Sequence, residues 1–325
     1  MKKSIILSFL FLSSVLFSGS EAPKIGSVVF FDYSYDTTSD ADNDAGFGLK
    51  RVYFTVSNKL ADNLSFKLQT DVNYKESPKN VYLKNAKVDW KTNAGKFTIG
   101  LQGMNVFSIQ EKTWGYRFID KSAMDRKKFS SSADMGIGYA TKFADKFRFS
   151  ILYTNGVGYK KSEDDSHKKI SMQAYMGQPK LSSKDGLNVG GVFTFEPYDF
   201  ESGSGSEITT SEKSVTVMGL FGGYASGVIR AGAEFNLLND SGLDVDEQIF
   251  SAYANYKLSK TLQVYGRIDM YDPDTDYDDD SENYFIIGCE FQPASGLYIA
   301  PNLRMTSPES GDSETVIYLN FQFKL

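Results

Sequence analysis

The chain has 325 residues, with 25 Phe, 20 Tyr, 28 Gly and only 8 Pro, a formal net charge of −6 and a mean hydropathy of −0.33. One histidine, His167, and one cysteine, Cys289, exclude most histidine-based catalytic triads, zinc sites and disulfide frameworks by count alone. Beyond the N-terminal leader no stretch approaches the roughly 18 consecutive apolar residues of a spanning helix, which excludes a helical membrane protein.

Residues 1–20 open with Lys2 and Lys3, run through an apolar stretch from Ile5 to Phe17 and end in Ser18 and Ser20. This is the pattern of a secretory signal peptide, with cleavage expected after Ser20 because cleavage after Ala22 would place Pro23 next to the scissile bond. Residues 21–325 then form a single acidic domain, and neither their charge nor any basic stripe points to a nucleic-acid partner.

From residue 24 onward the apolar residues recur with a period of two. Leu64, Phe66, Leu68, Thr70 and Val72 alternate with Ser65, Lys67, Gln69, Asp71 and Asn73, which is the pattern of a strand with one apolar face. In chain order this reading places strands at 24–35, 48–57, 64–73, 81–90, 96–106, 133–143, 146–155 and 170–179. Eight more follow at 187–196, 213–224, 228–238, 248–258, 261–271, 283–292, 297–306 and 315–325. Pro301 lacks a ladder donor and is expected at a bulge.

The connections sort by length. Brief turns such as 61–63, 92–95 and 259–260 alternate with longer polar segments such as 38–47, 107–132, 156–169, 197–212 and 272–282. An all-β transmembrane antiparallel barrel of about 16 strands accounts for this, with short periplasmic turns and long external loops. The location implied is the outer membrane of a Gram-negative bacterium. Outer-membrane lipid and lipopolysaccharide would surround such a barrel, and the abundant Tyr and Phe suit its aromatic girdles. The last strand presents Thr315, Ile317, Leu319, Phe321, Phe323 and Leu325 as one row, the kind of terminal strand that barrel assembly machinery reads.

Three segments carry a family resemblance. LKRVYFTVSNKLADNLSFKLQTDV, VYLKNAKVDWKTNAGKFTIGLQGMNVFS and ADMGIGYATKFADKFRFSILYTNGVGY resemble consecutive strands and hairpins of the phosphate-selective porin O and P group, over about 48–159. The resemblance implies a sixteen-stranded porin, commonly trimeric, whose third external loop folds into the lumen and narrows it. That loop corresponds to Phe107–Ser132.

Within this segment stand Lys112, Arg117, Lys121, Arg126, Lys127 and Lys128, against Glu111, Asp120 and Asp125, an excess of positive charge in an acidic chain. Fixed cations at a narrow passage favour anions. The predicted inward wall carries Arg51, Lys67, Lys87, Arg148, Arg230, Arg267 and Arg304, interleaved with Asp32, Asp71, Asp89, Glu234, Asp269 and Glu290. A mixed wall suits a passive diffusion channel for small hydrophilic solutes and ions, with a weak anion preference. The other readings are a phosphate- or oligosaccharide-selective channel and a surface adhesin with a closed lumen. An oligosaccharide path would use Tyr53, Tyr265 and Tyr271. The acidic run from Asp272 to Glu282 departs from the calcium-loop pattern at Tyr277, and no metal or other cofactor is expected. With no nucleophile motif around a serine, and its only histidine in the polar run SEDDSHKK, the chain does not read as an enzyme.

Overall fold

The computed structural model describes residues 22–38, 45–74, 76–143, 146–163, 165–203 and 208–325, so the expected signal peptide lies outside the described residues. The first five strands are β1 (Lys24–Asp36), β2 (Ala45–Ala61), β3 (Leu64–Asn73), β4 (Asn80–Thr92) and β5 (Gly95–Gly103). Next come two short helices, α1 (Ser108–Trp114) and α2 (Ala123–Arg126), then β6 (Ala133–Phe143), β7 (Phe147–Thr154) and β8 (Lys169–Gly177). The long β9 (Gly186–Ser202) and β10 (Thr209–Ser226) follow, with β11 (Ile229–Asp240), β12 (Val245–Lys257), β13 (Leu262–Asp272), β14 (Glu282–Ala294), β15 (Leu297–Pro308) and β16 (Glu314–Lys324).

Each strand pairs antiparallel with its sequence neighbours, and β1 pairs with β16, from Val28 opposite Lys324 to Asp36 opposite Val316. The sheet is thereby closed, and no edge is left with unpaired backbone groups, which a lipid-embedded sheet requires. Alternation sends one row of side chains outward: Ile99, Ile137, Val189, Leu220 and Ile287 are all more than half exposed. So large an apolar belt is stable only against hydrocarbon. Cys289 shares this face with Ile287 and Phe291.

Three departures from the sequence reading matter. The segment 197–212, expected as a loop, is mostly the distal half of the β9–β10 hairpin, which stays paired to Ser202 opposite Thr209. At about 3.3 Å per residue these strands are longer than a membrane crossing of 9–11 residues needs, so the hairpin rises above the rim. The bulge expected at Pro301 is absent: Pro301 pairs in register with Leu319, and the shift on the β14 side falls between Phe291 and Ala294. Pro301 loses only its own donor there, and the regular pairs on either side hold the register. Finally, β5 ends at Gly103, and the chain turns into the barrel instead of continuing to Val106.

The protein's apolar core lies inside the barrel. Val106, Ile109, Trp114, Tyr116, Ala123, Met124 and Phe129 of the segment between β5 and β6 are at most 4% exposed. They pack against inward residues of the far wall, including Val192, Val217, Phe221 and Ile249 on one side and Tyr253, Tyr265, Tyr284 and Ile286 on the other.

Candidate functional site: a segment stapled inside the barrel

Holding the segment 104–132 in one conformation costs about 1–2 kcal/mol per residue in backbone entropy. Burying each of its large apolar side chains returns about 1.5–3 kcal/mol. The remaining order comes from three arginines on the opposite wall, each donating to a backbone carbonyl of the segment. Arg230 Nη2 lies 2.9 Å from the Trp114 oxygen, Arg304 Nη2 lies 2.8 Å from the Ile119 oxygen, and Arg267 Nη1 bonds the Lys121 oxygen. Tyr253 adds a fourth contact from its hydroxyl to the Gln110 carbonyl at 3.2 Å. Three of the seven residues expected to line a pore wall are therefore anchors.

The local backbone allows these contacts. α1 ends at Gly115 with φ +76, where its amide closes onto the Glu111 carbonyl. A Cβ at that position would meet Ser182 Cβ at 2.7 Å and the Arg230 guanidinium at just over 3 Å, so only glycine lets the arginine approach. Trp114 then sits at the centre of an aromatic cluster with Tyr116, Tyr253 and Tyr265, at centroid distances of 5.1, 5.3 and 6.0 Å. Tyr265 is thus committed to packing and is only 3% exposed, which removes it from any solvated path.

The six cations of the segment divide into three pairs. Arg126 and Lys127 turn toward β13 and β14: Arg126 bonds Asp269 and Glu282 and stacks 3.9 Å over Tyr284, and Lys127 pairs with Glu282 over Tyr271. Arg117 and Lys121 instead share Asp125, at 3.1 and 3.3 Å, and Arg117 also holds Glu111 at 3.0 Å. Lys112 is exposed, and among the described residues neither it nor Lys128 has an ion-pair partner. Partial desolvation lowers the Lys112 ammonium below its ordinary range, against the pull of Glu111, and Lys180 and Lys96 add to the lowering. Asp120 receives the Tyr284 hydroxyl at 2.8 Å. Against the cost of its burial, Arg304, Arg267 and Arg126 hold its carboxyl low.

The β2–β5 wall carries ion pairs of its own. Arg51 pairs with Asp71 at 2.6 Å, and Lys87 and Lys96 share Asp89 at 3.1 and 3.4 Å. Among the described residues Lys67 reaches only the Gln69 side-chain oxygen, at 3.2 Å. Arg148 lies apart near the β7 start, donating to the Gly177 carbonyl at 2.7 Å. Two further cations join the inward face through bulges that alternation does not foresee. Lys50, the extra residue between Leu49 and Arg51, bonds Asp32 at 3.2 Å, and Lys84, between Leu83 and Asn85, is 6% exposed and reaches the Ser132 hydroxyl. Lys50, Arg51, Arg117, Lys121 and Arg304 line one cavity of about 180 Å³ with Asp32 and Asp120. Cations outnumber carboxylates around it, and within a narrow, partly desolvated space that imbalance attracts anions.

The family model described as phosphate-selective porin O and P matches residues 24–202. A search of curated protein sequences found no match. Among solved structures, the trimer form of in-vitro folded OmpT, an outer membrane protein of Vibrio cholerae, superposes with a TM-score of 0.67 at 16% identity, covering 94% of this chain and 99% of that one. An anion-selective porin from Comamonas acidovorans gives 0.68 at 13% identity, covering 94% and 99%. OprB of Pseudomonas putida gives 0.69 at 11%, covering 93% and 94%.

Proposed function

Because the chain belongs to the phosphate-selective porin O and P family, it is an outer-membrane diffusion channel, and we propose that its aqueous path runs between segment 104–132 and the β2–β5 wall. The path passes small polar solutes with a weak preference for anions. The observation that carries this reading is the surplus of cations along it: among the described residues Lys67 and Lys112 lack carboxylate partners, and Lys87 and Lys96 divide one. Fixed charge of one sign in a confined passage raises the local concentration of counter-ions, and salt screens it within about 8 Å where the passage is wide. A dedicated phosphate site is less well supported, because Arg51, Arg117 and Lys121 are each bound to a carboxylate.

Residues 1–20 act as a cleaved export signal, lipid and lipopolysaccharide surround the belt, assembly machinery reads β16, and three copies associate as in the OmpT trimer.

The test is single-channel recording of refolded protein in a planar bilayer under a KCl gradient. Stable conductance steps and a reversal potential on the anion side are expected. A folded protein without conductance would leave the closed adhesin barrel as the better account.

A further inference from the structure

Two cavities flank the lumen segment. On one side lies the cationic cavity at Arg117. On the other, a cup of about 540 Å³ opens between residues 128–131 and the upper parts of β8–β12, within the size range of small-molecule sites. Its base is closed: Phe129, Leu238, Met124, Val217 and Ile249 form a continuous buried cluster beneath it. Phe129 and Leu238 of its lining belong to that packed cluster, which sets the cup apart from the path proposed along the β2–β5 wall.

Its lining is apolar and aromatic on one flank, with Val215, Leu238, Tyr198 and Phe200, the last two in an edge-to-face pair at 6.4 Å on the raised hairpin. The polar lining sorts into engaged and unengaged groups. Glu196 is bound by Lys169 at 2.7 Å. Asp240 accepts from the Tyr198 hydroxyl at 2.5 Å and from the Gly242 and Leu243 amides at 3.0 and 3.2 Å. Glu247 accepts from the Tyr271 hydroxyl at 2.6 Å. Lys128 has no partner among the described residues and is held at φ +66, a conformation that disfavours a lysine. Ser130, two residues on, is 6% exposed, and its hydroxyl, on one rotatable bond, is unbonded.

The groups left over are thus one ammonium and one hydroxyl at the edge of an aromatic-walled recess. We propose that this cup binds a small aromatic carboxylate, its ring against Tyr198, Phe200 and Leu238 and its carboxylate on Lys128, with the Ser130 hydroxyl turning toward it. The strained backbone at Lys128 is explained by that placement. Of the three carboxylates nearby Glu196 is neutralised by Lys169, whereas Asp240 and Glu247 keep their charge behind hydrogen bonds from neutral donors, so the ligand's carboxylate is confined to the Lys128 side of the cup.

The experiment is saturation-transfer NMR on the refolded full chain in detergent, with benzoate as probe and benzyl alcohol, acetate and glucose as comparisons. No current is measured, so the result is independent of the channel reading. Benzoate is expected to saturate, with acetate and benzyl alcohol each at least about tenfold weaker. Lys128→Asn, which suits the left-handed backbone, should weaken benzoate about tenfold. Phe200→Ala, on the rim of the hairpin, should weaken benzoate and leave acetate unchanged. Benzyl alcohol or glucose binding as tightly as benzoate would overturn the proposal, as would benzoate binding that neither substitution alters.

Discussion

Lys67 and Lys87 stand directly opposite each other in the β3–β4 ladder, and both point into the barrel. Like charges in facing positions cost roughly 0.2–1 kcal/mol, and of the two it is Lys87 that makes the direct ion pair with Asp89, at 3.1 Å. The fold does not need this pair, whereas an anion path does. Lys67→Gln should raise stability by a few tenths of a kcal/mol, at the low end of about 0.2–1, and move the reversal potential toward zero. Urea unfolding and bilayer recording check the two effects, and a variant that loses stability without changing selectivity would contradict the assignment.

Arg117 and Arg126, nine residues apart in one segment, should respond differently to neutralisation. Arg117→Gln strips a cation from Glu111 and Asp125, so unpaired carboxylate appears beside the path and selectivity should shift toward cations. Arg126→Gln removes a tie to Asp269 and Glu282 on the far wall, where Arg267 and Lys127 still hold those carboxylates. Its expected effect is noisier current with little change in reversal potential. Equal shifts in both variants would place Arg126 on the path as well.

The barrel was legible because strand alternation and loop lengths are long-range regularities: sixteen strands appear in the expected order, most within a few residues of their expected ends. What sequence could not reveal is how inward cations divide their work. Arg230, Arg267 and Arg304 share a periodicity with Lys67 and Lys87, yet the first three staple carbonyls, and nothing in the period distinguishes them. Lys50 and Lys84 were missed because a one-residue bulge breaks the period locally and leaves no compositional mark. Lys96, beside a turn, follows the inward row of Thr98 but was not singled out.

The Arg267–Asp269 pair tests the stapling. Both side chains are at most 1% exposed, and Asp269 also accepts from the Ser251 hydroxyl at 2.6 Å. Removing Arg267 leaves the buried Asp269 charge with the Ser251 hydroxyl and the more distant Arg126 at 3.5 Å, a loss toward the low end of the about 3–5 kcal/mol typical of a broken buried pair. Arg267→Met should cost that much in chemical unfolding and free the Lys121 carbonyl, so the segment should become protease-sensitive in folded barrels. Replacing both, as Arg267→Met with Asp269→Leu, should recover most of the unfolding loss but not the protection of the segment, because the carbonyl bond is still missing.

Tyr159, in the external connection between β7 and β8, should make the path sensitive to alkaline pH. Lys84 Nζ lies 3.5 Å from its ring centroid, Tyr82 packs against it at 5.7 Å, and Lys160 stands 5.9 Å away. Burial alone would raise the phenol above its ordinary 10.0, but Lys84, with Arg51 and Lys160, brings it down to about 8. As pH rises through about 8 the ring becomes an anion beside Arg51, so anion preference should fall there. Folding should follow the matching sign: a depressed phenol pKa gives its full stabilisation above pH 10 and loses it as pH falls through about 8. Tyr159→Phe should flatten both dependences. Reversal potentials from pH 6.5 to 9.5, in roughly half-unit steps, with absorbance titration of the phenolate, decide the matter. A pH step that survives in the phenylalanine variant would assign the proton to another group in the cluster.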